Sequence, residues 1–242
     1  MNPQLQNWDN FCQYHVGEWH GIKTRYSPDG EAIKSWQVVT NLEINKDNST
    51  INHKDYLTYA DGNTELKTFG PYTKPITSAL FLDNSFCWGS KKVTSGSIFV
   101  FEIGIRFENR RMLGYCRYDG SGNLEYISIG PEHLGSTSQE NLQKSVNQFN
   151  EKWQGTLIKM TLDLIVSEPV PTYWKQLEDL NQDYLTLHFQ DRVSLSCPHR
   201  IEAEKKFFIA VDWQINDTLL QRGIGYYDVS GFTHFTLEVF TK

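Results

Sequence analysis

The chain has 242 residues, 39% hydrophobic and 14% aromatic, which is too apolar and too rich in rings for a disordered polypeptide. Lys and Arg number 23 against 29 Asp and Glu, a formal charge of −6 with no basic block, which argues against nucleic acid as a partner. The amino-terminal stretch has no charged-then-apolar pattern, no run approaches the ~18 apolar residues of a membrane span, and four scattered cysteines form no Cys-x-x-Cys pair; the expectation is a cytoplasmic protein with reduced thiols.

Leu5, Trp8, Phe11 and Cys12 recur at helical spacing, so Pro3 to Val16 is a predicted amphipathic helix. Gly17-Glu18-Trp19-His20-Gly21 opens a strand, and Ser27-Pro28-Asp29-Gly30 is a turn. Trp36, Val38, Leu42 and Ile44 then share one strand face, opposite Gln37, Asn41 and Glu43. After the Asp61-Gly62-Asn63 turn, Phe99, Phe101, Ile103, Ile105 and Phe107 alternate with Glu102 and Arg106. Arg111-Met112-Leu113-Gly114-Tyr115 is the next strand, followed by the turn Asp119-Gly120-Ser121-Gly122 and a last strand from Leu124 to Ile129. Ser138 to Trp153 carries Leu142, Val146 and Phe149 at helical spacing behind a Ser136-Thr137-Ser138 cap, a second predicted helix. Phe207, Ile209, Val211, Trp213 and Ile215 share a face; Arg222 to Tyr226, the Val229-Ser230-Gly231 turn and Phe235 to Phe240 follow.

The landmarks repeat. Gly17-Glu18-Trp19-His20-Gly21 is echoed by Glu151-Lys152-Trp153-Gln154-Gly155, and Arg111-Met112-Leu113-Gly114-Tyr115 by Arg222-Gly223-Ile224-Gly225-Tyr226. Even strands joined by short turns suggest closed up-and-down barrels. The expected fold is all-β, with two consecutive antiparallel barrels related by internal duplication, each behind a short helix, over residues 1–135 and 136–242. The second half is tight for eight strands, so an incomplete barrel or one larger shared sheet stays open.

A short helix, then Gly17-Glu18-Trp19, then Arg111 near the end, resembles the lipocalin, or calycin, pattern. In the second copy Glu151 replaces the glycine, while Arg222 takes the arginine position. Over its length the chain resembles a cyanobacterial and algal lipocalin-like family of unknown function, and more distantly the calycin-fold bilin lyases, which attach or carry tetrapyrroles. The resemblance implies that Trp19 with Arg111, and Trp153 with Arg222, plug the closed end of each barrel, and it supplies no established reaction. Physically, a guanidinium on an indole contributes about 0.5–2 kcal/mol.

Side-chain parity places Leu113, Tyr115 and Arg117 on the face of Arg111, and Ile224, Tyr226 and Asp228 on that of Arg222. With Phe101 and Trp213 on faces expected to point inward, the candidate ligand-binding set is Tyr115, Arg117, Tyr226, Asp228, Phe101 and Trp213. The bland alternative is that both tyrosines fill a core. Arg106, Arg110 and Arg111 surround a turn, either solvated or a rim site for an anionic head group. Cys197-Pro198-His199-Arg200 sets a thiol beside two cations, a combination that would activate a nucleophile if the side chains met. No metal-ligand spacing, nucleophile elbow, P-loop or dinucleotide fingerprint occurs, so no metal, cofactor or catalytic residue is expected. The expected function is non-enzymatic binding of an apolar small molecule (a tetrapyrrole, a carotenoid-derived or a lipid-like compound). The alternatives are a bilin-lyase-like enzyme or chaperone, using Glu102, Arg106 or Arg117 with Asp228, and an interaction scaffold with filled barrels.

Overall fold

A computed structural model describes residues 2–135 and 153–242, so the helix expected at 138–153 lies outside the described residues apart from Trp153. The first helix is α1, Pro3–His15. Asn2 caps it by accepting from the amides of Gln4 and Leu5, and Pro3 enters where its missing N–H costs nothing.

Nine strands follow: β1 Gly17–Tyr26, β2 Ala32–Ile44, β3 Thr50–Tyr59, β4 Thr64–Thr73, β5 Ala79–Leu82, β6 Ser85–Gly89, β7 Phe99–Phe107, β8 Arg110–Tyr118 and β9 Leu124–Leu134. They form one antiparallel sheet in the order β4-β3-β2-β1-β9-β8-β7-β6-β5. β1 pairs with both β2 and β9, joining the two hairpin runs into a half-barrel. β4 and β5 are its edges, and no ladder joins them. Rings span the seam instead: Tyr72 and Trp88 lie 4.7 Å apart, and Phe11 of α1 packs beside both, stacking on Phe81 at 4.2 Å. Buried Asn7 ties α1 to the β5 side, donating to the Ile76 and Ala79 carbonyls and accepting from the Phe81 amide.

The second sheet contains β10 Gln154–Thr161, β11 Val170–Tyr173, β12 Leu185–Phe189, β13 Val193–Cys197, β14 Phe207–Gln214, β15 Leu219–Asp228 and β16 Gly231–Thr241, with a one-turn helix α2, Leu177–Leu180, between β11 and β12. Its order is β11-β10-β16-β15-β14-β13-β12.

The main core lies between the two sheets. Phe99, Phe101, Ile103 and Ile105 of β7, with Met112 and Cys116 of β8, meet Leu195, Ile209, Val211, Trp213, Tyr227 and Phe235. Two glycines of the repeated landmark allow this approach. A Cβ on Gly114 would sit 2.5 Å from Val211, and one on Gly225 would sit 2.3 Å from Phe101, so each sheet receives a side chain of the other at the corresponding place.

The architecture corrects two expectations. Neither sheet is closed by hydrogen bonds among the described residues, so the chain shows a nine-stranded half-barrel and a seven-stranded sheet in place of two closed barrels. The apolar faces carrying Phe99, Phe101, Phe207 and Trp213 pack sheet against sheet instead of lining barrel interiors. Alternation shows that one face needs an apolar partner; it does not say whether that partner is the same sheet or another. No helix among the described residues is long and apolar enough to cross a membrane. All four cysteines are free thiols.

A candidate binding site inside the half-barrel

The concave face of the first sheet is built from the opposite parity. Trp19, Gly21, Lys23 and Arg25 of β1 share it, opposite Thr40, Val38, Trp36 and Lys34 of β2. Its floor is a plug. Trp19, fully buried, donates from its indole N–H to the His15 carbonyl at the end of α1. The Arg111 guanidinium lies 4.3 Å from the Trp19 ring centroid and that of Arg106 lies 5.3 Å away. Arg106 also donates to the Tyr14 and Gln13 carbonyls, countering the negative end of the helix. Arg111 bonds Glu132 through two nitrogens, at 2.7 and 2.5 Å, both to Oε2, while Oε1 is buried with no partner. Burial, with Arg111 and Arg106 adding, pushes His15 well below its ordinary pKa, so this enclosed imidazole is neutral.

Above the plug is a polar ring. His53 bridges Asp55 and Tyr72, with Nε2 2.9 Å from the carboxylate and Nδ1 3.0 Å from the phenol. If the imidazole is neutral, Nε2–H donates to Asp55 and Nδ1 accepts from the Tyr72 hydroxyl. Lys23 and Glu102 come from β1 and β7. Both are enclosed by the sheet yet keep part of their surface accessible, as cavity-lining groups do, and among the described residues neither makes a hydrogen bond or an ion pair within 4 Å. Burial alone would lower the Lys23 pKa; Glu132, Glu102 and Asp55 outweigh it and raise it, so the ammonium stays charged. Burial pushes the Glu102 carboxyl up, with Lys23 opposing. The Asp55 carboxyl, although burial acts to raise it, is held low by His53 and Lys23. The buried Thr40 hydroxyl sits directly opposite Asp55 across β2 and β3 and helps to hold that carboxylate low.

The mouth is aromatic and cationic. Arg25 lies 3.8 Å from the Tyr126 ring centroid and 5.8 Å from that of Trp36. Lys34 lies over Tyr59 at 4.0 Å. Arg117 is paired with Glu125 at 2.6 Å.

Of the six candidate ligand-binding residues, the structure brings Tyr115 and Arg117 to this concavity, which Trp19, Arg106, Arg111 and Glu102 share. Tyr115 sits opposite Glu102 across β7 and β8 and 6.0 Å from Tyr126, and burial raises its phenol. Phe101 and Trp213 are instead 2% and 4% exposed in the intersheet core, out of reach of a ligand in the concavity. Tyr226 lies on the far face of the second sheet, stacked 4.5 Å from His234. Asp228 accepts from Ser230 in the hairpin turn and borders a shallow groove with Lys92, Glu202 and Lys205. Arg222 is buried, bidentate to Asp212 at 2.5 and 2.7 Å, and lies over Trp174 and Phe240. Trp153 packs with Leu220 and Phe240, with the Lys242 ammonium 4.8 Å from its ring. Arg110 lies over Trp213, so the basic turn is not a solvated cluster. Cys197 is fully buried between the sheets while His199 and Arg200 are exposed, which separates the thiol from the imidazole and guanidinium beside it in sequence.

Lys23, Arg25, Asp55, His53, Tyr72 and Glu132 were not singled out from the sequence. One signal was present: counting four and six residues on from Trp19 along the same face reaches Lys23 and Arg25. Among the described residues, no group of three or more His, Cys, Asp or Glu is arranged to hold a metal ion.

No curated protein matches the chain. Among solved structures, a protein of unknown function from the DUF3598 family of Nostoc punctiforme PCC 73102 matches with a TM-score of 0.79 and 21% identity over 98% of both chains, a likeness of fold. A mutant of the Rh. blastica porin matches over 92% of this chain and 98% of its own at 9% identity, with a TM-score of 0.20, too low to imply a shared fold. The family model described as "Domain of unknown function (DUF3598), N-terminal" matches residues 4–137, more than half of the chain, and the chain belongs to that family.

Proposed function

We propose that the half-barrel is a binding or carrier site for an apolar small molecule of tetrapyrrole, carotenoid-derived or lipid-like character. The observation that carries this reading is the set of enclosed polar groups on its concave face that lack a direct hydrogen bond or close ion pair: the Lys23 ammonium and the Glu102 carboxyl, which act on each other only at longer range, and the buried Glu132 Oε1. A buried polar group left unpaired costs roughly 1–3 kcal/mol, so such a set fits a cavity that a ligand or water completes. Aromatic walls with a few convergent polar groups are the usual composition of small-molecule sites. The test is native mass spectrometry and tryptophan quenching after incubation with a retinoid, a fatty acid and a linear tetrapyrrole. Binding of at least one, weakened by Lys23→Met, supports the reading; no binding of any overturns it.

A chromophore-attachment enzyme or chaperone is the second reading, favoured by the Asp55–His53–Tyr72 chain, which can relay a proton to a bound ring. Incubation with phycocyanobilin and an apo-phycobiliprotein, followed by absorbance, tests it; absence of a covalent adduct counts against it.

A further inference from the structure

We propose that the mouth of the half-barrel is a carboxylate receptor built on Arg25, and that the ligand is an apolar molecule with one carboxylate, held acid end outward. This rests on the small-molecule reading above and names its ligand class.

Three observations converge. The first is the state of Arg25. Its guanidinium is fixed between two ring faces, with Tyr126 at 3.8 Å and Trp36 at 5.8 Å. Its Nε is buried and has no hydrogen-bond partner, and no ion pair to Arg25 occurs among the described residues. The other arginines of this concave face spend their forks on protein: Arg111 on Glu132, Arg106 on helix carbonyls, Arg117 on Glu125. A planar fork that is oriented by aromatic faces and left unbonded matches a carboxylate, whose two oxygens accept parallel N–H bonds.

The second is the charge around it. Lys34 is directly opposite Arg25 across β1 and β2. Of the acids near the rim, Glu125 pairs with Arg117, Glu65 with the Tyr59 hydroxyl and Lys67, and Asp61, which also acts on the Tyr59 hydroxyl, accepts from Asn63 in its turn. Arg25 and Lys34 therefore face the rim with no acid within ion-pair distance among the described residues.

The third sets the orientation. Below the rim the cavity holds Asp55, Glu102 and Glu132 against Lys23 and Arg111, with Arg111 already committed to Glu132. A second anion placed there would face three carboxyl groups, whereas a neutral hydroxyl or carbonyl could meet Lys23 and Glu102. Lys23 and Arg25 are two residues apart on one face, about 7 Å, which puts a neutral polar group a few bonds below the acid. The Trp36 and Tyr126 rings that flank Arg25 add apolar wall for a skeleton leading down from the acid.

The experiment compares cis-parinaric acid with its methyl ester, which share the fluorescent polyene and differ in charge. Affinity for the full chain is read by energy transfer from tryptophan. Expected is about ten- to hundredfold tighter binding of the acid, the size of a charge-assisted pair. Arg25→Met should bring the acid down to the affinity of the ester, and Arg25→Lys, which keeps the charge and loses the fork, should fall between. Thermal melts of both variants confirm folding, and raised salt on the wild-type chain must selectively weaken the acid even if a variant fails to fold. Equal affinity of acid and ester for the wild-type chain overturns this inference and leaves the small-molecule reading standing. Failure of both probes to bind overturns this inference, and the small-molecule reading falls with it only if the retinoid and the linear tetrapyrrole fail to bind as well.

Discussion

The buried pair of Arg111 and Glu132 makes the plug directly testable. Their side chains are 4% and 0% exposed, and both guanidinium contacts run to one carboxylate oxygen. Replacing Arg111 by Met keeps much of the side-chain volume but leaves Glu132 enclosed without its cation. Breaking a buried pair from one side costs about 3–5 kcal/mol. Losing the cation over Trp19 adds a further ~0.5–2 kcal/mol. Against a typical total of about 5–15 kcal/mol, the single variant should be close to unfolding at ambient temperature. Replacing both residues by Met removes the stranded carboxylate as well, so the double variant should recover several kcal/mol relative to R111M. Urea titrations of wild type, R111M, E132M and the double variant, followed by tryptophan fluorescence, measure the cycle. A loss below 1 kcal/mol for R111M, or a double variant no more stable than the singles would give by addition, would refute the account of the plug.

At the sheet interface, Gly225→Ala drives a methyl toward the Phe101 ring and should cost about 1–3 kcal/mol in a urea titration, with Phe101→Leu in the same chain restoring part of it. In the second sheet, burial pushes Glu238 up to about 7, with Arg222 opposing and Asp212 adding. Because the folded value lies above the ordinary 4.5, the folded chain binds the extra proton, and stability falls as pH rises from about 4.5 to 7 by up to about 3 kcal/mol. Glu238→Gln should flatten that slope in melts across the range, and an unchanged slope would reject the assignment. Cys87, Cys116 and Cys197 are fully or nearly fully buried, and burial raises the first two thiols further, so N-ethylmaleimide should modify all three only after unfolding. Rapid labelling of Cys197 in the folded chain would contradict its place between the sheets.

The sequence disclosed the elements more readily than their partners. The α1 helix was legible because its cap, its Pro and its apolar stripe agree. Alternation in β7 and β14 correctly grouped Phe101 with Ile103 and Trp213 with Val211. Which side those groups face was inverted, because an apolar face packs equally well on its own curled sheet or on another. The short β11 and β12, with Pro171 in the former, carry too few alternating residues to stand out. The polar ring, Glu102 apart, escaped for a different reason. Lys23, Asp55, Glu102 and Glu132 come from four strands, and only the pairing registers of the sheet bring them together. A lone lysine in a strand reads as a solvated side chain. Tyr115 shares a strand and a parity with Arg111, so local counting suffices to place it on the same face.

The seam between β4 and β5 gives the half-barrel an adjustable girth. In a barrel closed by hydrogen bonds, strand number and stagger fix the circumference, and widening it means breaking a ladder. Here the last span is Tyr72 against Trp88, backed by Phe11, and ring contacts slide without losing a directional bond. The inner diameter is thus set by the bulk of three side chains and by how α1 is clasped through Asn7. Trimming Tyr72 or Trp88 retunes the vessel, while the eight strand-to-strand ladders around the rest of its wall stay as they are.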